Sequence, residues 1–350
     1  MSGTEARAVA RVVRDRATEA EDAVAAGLGF VMVSSVHLDG WAHVNRPGLD
    51  TFFTPWHGVL YASFALYALF VGLMAGRRAR RGEGLALSVP SGYAAALGGI
   101  GLFVAGGIGD LGWHQAFGVE AGIDALVSPT HLVLLAGGML MVTAPARSMV
   151  LRGSPLTGAG RLALALSVGA SAALIGFFVS YLSVFVDPRA VQPLTSFPEG
   201  TAAHEAAELP AIVGLGGYLL ITAAILGPVL GLSRALRTVP GGVSTVAVAS
   251  VALLGAGLSG YRYLVPALAA VLAVAVAEVV RWRMPGMPRR WLWWGGGLPV
   301  AVWTGQMGGL AVTDGIGWSA ELWAGVLVLT ALGGVAVALL SEPGRPAAQP

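Results

Sequence analysis

Stretches of about twenty apolar residues alternate along this chain with short polar connections, and the alternation repeats about ten times. The apolar runs fall near 24–42, 55–76, 92–113, 129–146, 162–186, 210–232, 242–260, 264–281, 291–312 and 318–340. An α-helix needs about 20 residues to cross a hydrocarbon core about 30 Å thick. The pattern therefore predicts an all-α, polytopic transmembrane helix bundle of about ten spans. It divides the chain into an N-terminal segment, 1–22, helical and lying at the inner surface; a four-helix part, 23–152; a six-helix part, 153–341, with a long outer connection at 187–209; and a tail, 342–350. The first run begins only near Ala23 and ends on the polar residues discussed below, so a retained first helix is expected rather than a cleaved leader.

Composition agrees with a membrane protein: of 350 residues 55% are hydrophobic and 11% charged, and the mean hydropathy is +0.73. Every basic residue is Arg, and all but Arg46, Arg189 and Arg262 lie on one set of alternate connections or at the chain ends. Basic residues collect on the inner side, so both termini are expected inside. Acidic and basic totals nearly cancel, and nothing in the balance asks for nucleic acid. The absence of cysteine rules out disulfides, iron–sulfur clusters and thiolate copper sites.

Against this apolar background one polar pattern occurs twice. HLDGWAH followed by TFFTPWH supplies Asp39, His43 and His57; GDLGWH followed by ALVSPTH supplies Asp110, His114 and His131. Each copy is Asp-x3-His, a connection, then Thr or Ser, Pro, any residue, His. Asp and His four positions apart share one helix face. The second His follows a Pro suited to the first turn of the next helix, so its ring faces back across the hairpin. Two imidazoles with one carboxylate suit Cu(II), Zn(II) or Fe(II) and leave positions for water or dioxygen. A single interfacial His is usually just wet, but ionisable residues within spans tend to mark function, and the Arg distribution puts both copies on the outer side.

The remaining polar positions carry weaker signals. AHEAAELP, with His204, Glu205 and Glu208, resembles the start of a zinc-protease helix but has Glu where the second His belongs; it reads as a solvated helix of the outer connection, with His204 and Glu208 as accessory ligands in the alternative. Glu120 and Asp124 are outer-loop carboxylates, otherwise partners for imidazole N–H groups. His37 projects off the ligand face. Asp50 and Asp314 are ordinary loop acids, and Glu278 pairs with Arg281 at the interface. The Trp residues of RRWLWW anchor an interface, and GGIGLFVAGGIG before Asp110 permits close helix contact.

The two triads, with their Trp and Pro neighbours, resemble the C subunit of the copper membrane monooxygenases, the particulate methane and ammonia monooxygenases, over about residues 25–150. Asp39, His43 and His57 look like that family's first ligand set, and Asp110, His114 and His131 like its second, which opens with Asn rather than Asp. The resemblance implies copper at two outer sites, one or both of them the oxidation site, with the active one not distinguished. It also implies other membrane subunits or a cupredoxin-like partner; the lipid bilayer is expected from the apolar runs, and a second copy of the chain is a further expected partner. The expected function is O2-dependent oxidation of a small apolar substrate. Non-catalytic handling of copper or zinc is the alternative. Proton-coupled transport through Asp39 and Asp110 is a third reading, against which both carboxylates lie at span ends rather than at the midplane.

Overall fold

The computed structural model describes residues 16–46, 52–81, 88–118, 122–153, 155–236, 239–284 and 293–340. These are helical, without a strand beyond one isolated bridge between Arg16 and Ser91. The helices are α1 (Glu19–Asn45), α2 (Pro55–Ala79), α3 (Ala94–Phe117), the short α4 (Ile123–Val127), α5 (Pro129–Val142), α6 (Ala144–Arg152), α7 (Gly158–Phe178), α8 (Ala202–Ala235), α9 (Val243–Leu258) and α10 (Leu264–Trp282). A π-helical turn, Trp293–Gly297, then leads into α11 (Leu298–Thr313), and α12 spans Ala320–Leu340. Among the described residues eight helices, α5 and α6 counting as one, are long and apolar enough to cross a membrane.

All ten apolar runs coincide with helices; α9 is shorter than the eight at 16 residues, and α11 is 16 residues long without the π-helical turn Trp293–Gly297 that runs into it. The run at 162–186 is helical only to Phe178 and then breaks into turns. Val184 and Phe185 are apolar there because they are buried against the second half of the protein, not because they continue a span. The connection at 187–209 is shorter than expected, since α8 begins at Ala202 and takes in His204, Glu205 and Glu208. At 34 residues, about 51 Å, α8 outruns the hydrocarbon core, so its polar first turns extend past it.

Buried apolar side chains form two cores that meet on α7. One gathers α1, α2, α3 and α5 around Tyr67, Met32, Met74 and Met141; the other gathers α8 to α12 around Trp303, Tyr218 and Phe185. Small residues set the closest approaches. A Cβ at Gly99 of α3 would lie 2.6 Å from the Gly137 carbonyl oxygen of α5, and one at Gly137 would lie 2.7 Å from the Gly99 oxygen, so only glycine fits.

α1 starts with a capping box: Thr18 Oγ1 accepts from Glu21 N–H at 3.1 Å, and the Thr18 N–H donates to Glu21 Oε2 at 2.8 Å. Of the expected N-terminal segment, residues 1–15 lie outside the described set. Glu19, Glu21 and Asp22 are not on a surface helix but begin α1, and Asp22 is fully buried, accepting from Tyr93 at 2.7 Å and Ser148 at 3.0 Å. Arg78, at the end of α2, pairs with Glu21 at 2.9 Å. A polar lock thus closes this end of the first four long helices, and the triads sit at the other end.

Two further expectations are corrected. Glu278 is buried and accepts from the Ser244 and Thr245 hydroxyls and from the Gly242 N–H at 3.2 Å, capping the start of α9, while Arg281 lies over the Trp294 ring at 4.5 Å. Trp294 is therefore buried in the core rather than an interface anchor; residues 285–292 lie outside the described set.

Candidate metal centre

The Thr/Ser-Pro-x-His element is a helix start. Thr54 is the N-cap of α2, its hydroxyl accepting from the His57 N–H at 3.1 Å, with Pro55 opening the first turn. Ser128 and Pro129 occupy the same places before α5. This start holds His57 and His131 in the first turn of one helix, opposite the last turns of α1 and α3, which carry the Asp and His one turn apart.

The six residues come together as two groups of three, Asp39, His43 and His57, then Asp110, His114 and His131; in each the ligand atoms all lie within 4.8 Å of one another. In the first, Asp39 Oδ2 is 3.3 Å from His57 Nε2 and 3.7 Å from His43 Nε2. In the second, Asp110 is 3.3 Å from His131 Nε2 and 3.6 Å from His114 Nε2. Two ligands bound to one ion at about 2.0–2.1 Å in tetrahedral geometry stand about 3.4 Å apart, so both groups have the spacing of a ligand set. Asp110 and His57 are buried, Asp39 nearly so, and His43 forms the exposed edge.

The other ring nitrogens decide what lies between. His57 Nδ1 is 2.7 Å from the Phe52 carbonyl oxygen, His114 Nδ1 is 3.1 Å from that of Gly118, and His131 Nδ1 contacts that of Ala125 and, at 2.9 Å, the Ser128 hydroxyl. A carbonyl only accepts, so in these three rings Nδ1 carries the hydrogen and in the neutral imidazole Nε2 presents a lone pair. With the imidazoles neutral, each Nε2 lone pair faces a carboxylate oxygen, acceptor against acceptor, an arrangement that a proton or a metal cation between them relieves. Asp39 Oδ1 is buried with no hydrogen-bond partner, a cost unless a cation takes it. Asp110 differs: Thr130 Oγ1 donates to its Oδ1 at 3.0 Å. The residues present thus fit a metal ion, and the donors suit copper, zinc or iron alike.

The groups are neighbours. The Phe52 ring stacks on His57, centroids 5.0 Å apart at 22°, and lies 6.0 Å from His114 of the other group, tilted at 52°. Tyr61, one turn after His57, reaches to Gly107, one turn before Asp110, where an added Cβ would lie 3.0 Å from its hydroxyl.

The other expected residues take no part. His37 is buried on the opposite side, bonded to the Val33 carbonyl at 2.9 Å and edge-on to Phe177. His204 and Glu208 pair with each other at 3.5 Å, apart from both groups. Glu120 lies outside the described residues. Asp124 is exposed, and the role foreseen for it falls to the neighbouring Ala125 carbonyl. Backbone carbonyls are unreadable in sequence because any residue supplies one; Thr130 stood inside the motif, at its variable position.

No protein-family model, curated protein or solved structure matches this chain.

Proposed function

We propose that this helical membrane protein is a copper protein of about ten spans whose two Asp/His/His triads, on the outer side of the membrane, serve the O2-dependent oxidation of a small apolar substrate. The observation that carries the reading is the convergence of Nε2 lone pairs on a carboxylate in two places, with Asp39 Oδ1 buried and unpartnered. The resemblance of these residues to the C subunits of copper membrane monooxygenases supports copper over zinc or iron. Sidedness rests on charge: Arg78 and Arg152 lie at the bundle end opposite the triads, in the Arg-rich set of connections.

Copper, when bound, supplies one-electron redox chemistry and a place for dioxygen. The chain's own residues do the rest. The carbonyls of Phe52, Gly118 and Ala125 fix the tautomer and aim of three imidazoles; Asp39 and Asp110 offset the ion's charge; Thr130 holds Asp110. Trp41 and Trp56 pack edge to face at 5.8 Å next to the first triad in sequence, while His43 stays at its exposed edge. Exposed apolar faces, such as Leu66, Leu69 and Leu73 on α2, open toward lipid, from which an apolar substrate would arrive.

The test is electron paramagnetic resonance of the purified, oxidised protein, followed by incubation of reduced membranes with a short-chain alkane and 18O2. Cupric signals with nitrogen hyperfine structure and an alcohol carrying one 18O atom are expected. Copper without labelled alcohol would remove the catalytic half of the proposal; zinc alone, with no paramagnetic copper, would favour the metal-handling alternative.

A further inference from the structure

The relation between the two triads goes beyond their separate identity. Phe52 precedes the cap of α2 and touches both: its carbonyl oxygen receives the His57 Nδ1–H at 2.7 Å, its ring stacks on His57 at 5.0 Å, and the same ring lies 6.0 Å from His114. The His57 and His114 centroids are therefore no farther apart than those two ring distances laid end to end. Adding a metal–nitrogen bond of about 2 Å beyond each ring leaves two ions within about 17 Å of one another. Only Phe52 is in ring contact with ligands of both groups among the described residues. Tyr61 packs beside it, its ring 6.0 Å from Phe52 and 6.3 Å from His57, tilted to both, its hydroxyl against α3 at Gly107.

We infer that the two triads form a single coupled binuclear centre, with Phe52 as the positioning residue that ties them together through its ring contacts with both His57 and His114. The inference rests on the proposed metal binding but not on catalysis. The α1–α2 and α3–α5 hairpins share one core, with Phe64 stacked on Phe103 at 4.6 Å and the Tyr67 hydroxyl donating to the Met141 carbonyl at 2.7 Å, and at the level of the triads Phe52 is the residue whose ring meets a ligand of each. Removing the ring takes away a contact from His57 and one from His114 without deleting any ligand.

Continuous-wave resonance spectra of the cupric protein test this, comparing the two-copper wild type with His43→Ala and His114→Ala, each expected to keep one copper. The wild-type spectrum is expected to show dipolar broadening absent from both single-site variants. A two-copper wild type whose spectrum is the plain sum of the variants' spectra would overturn the coupling, whereas loss of copper from the wild type itself would instead strike the metal proposal. Phe52→Ala is expected to retain two coppers with an altered, more heterogeneous broadening, and Phe52→Tyr to restore the wild-type line shape. Unchanged broadening in Phe52→Ala would overturn the positioning role.

Discussion

At the scale of residues, hydrogen bonds behind the ligands matter as much as the ligands. Three imidazoles are pinned through Nδ1 by backbone carbonyls; His43 is the exception among the described residues, and it is also the exposed one. The two carboxylates are not equivalent, since Asp110 is braced by Thr130 and Asp39 has Trp56 at the corresponding place and a free Oδ1. Loss of such a brace typically costs 10–100-fold in metal affinity. Thr130→Ala is accordingly expected to weaken the second site by about 10–100-fold and leave the first unchanged, as read by metal titration; equal weakening of both sites would contradict it. The ligand set itself was legible, because Asp-x3-His stacks two side chains on a helix face and Thr/Ser-Pro-x-His is a helix start. Phe52 was not, because nothing in a lone loop aromatic says which ring it will meet.

Among the elements, the hairpins depend on close backbone approach. The glycine-rich stretch before Asp110 announced a tight contact, and the structure supplies the partner, Gly137 of α5. A Cβ at Gly137 would meet two backbone atoms, the Gly99 oxygen at 2.7 Å and the Phe103 nitrogen at 2.8 Å, neither of which can swing aside. Gly137→Ala is therefore expected to cost about 1–3 kcal/mol and to splay α3 from α5, lowering metal occupancy of the second site while sparing the first. Thermal unfolding with metal analysis checks this, and wild-type stability would refute it. Apolar runs identified helices well but could not tell lipid contact from burial in protein: the stretch after Phe178 and the Trp at 294 are apolar for the second reason. Glu278 was misread because its partners, at the start of α9, are more than thirty residues away in sequence.

The molecule as a whole is two packed cores sharing α7, with a charged lock at one end of the first and the triads at the other. Arg78→Ala leaves Glu21 without its guanidinium and is expected to destabilise the fold by about 3 kcal/mol while copper per folded chain is unchanged, because the triads lie at the far end. Helical class and membrane character were legible from composition and run length; whether α9 and α11 span was not, since 16 residues fall near the threshold. Orientation is open to direct measurement, because a chain with no cysteine accepts a single reporter. Asn45→Cys, at the triad end, is expected to react with a membrane-impermeant thiol reagent added outside intact cells, and Arg80→Cys only after permeabilisation; the reverse would invert the topology.

The central claim is that the two Asp/His/His triads each bind a metal ion. Copper per chain, measured on purified wild type, His43→Ala, His114→Ala and the double variant, tests it most directly. Two ions in the wild type, one in each single variant and none in the double are predicted. A stoichiometry unchanged in both single variants would contradict it.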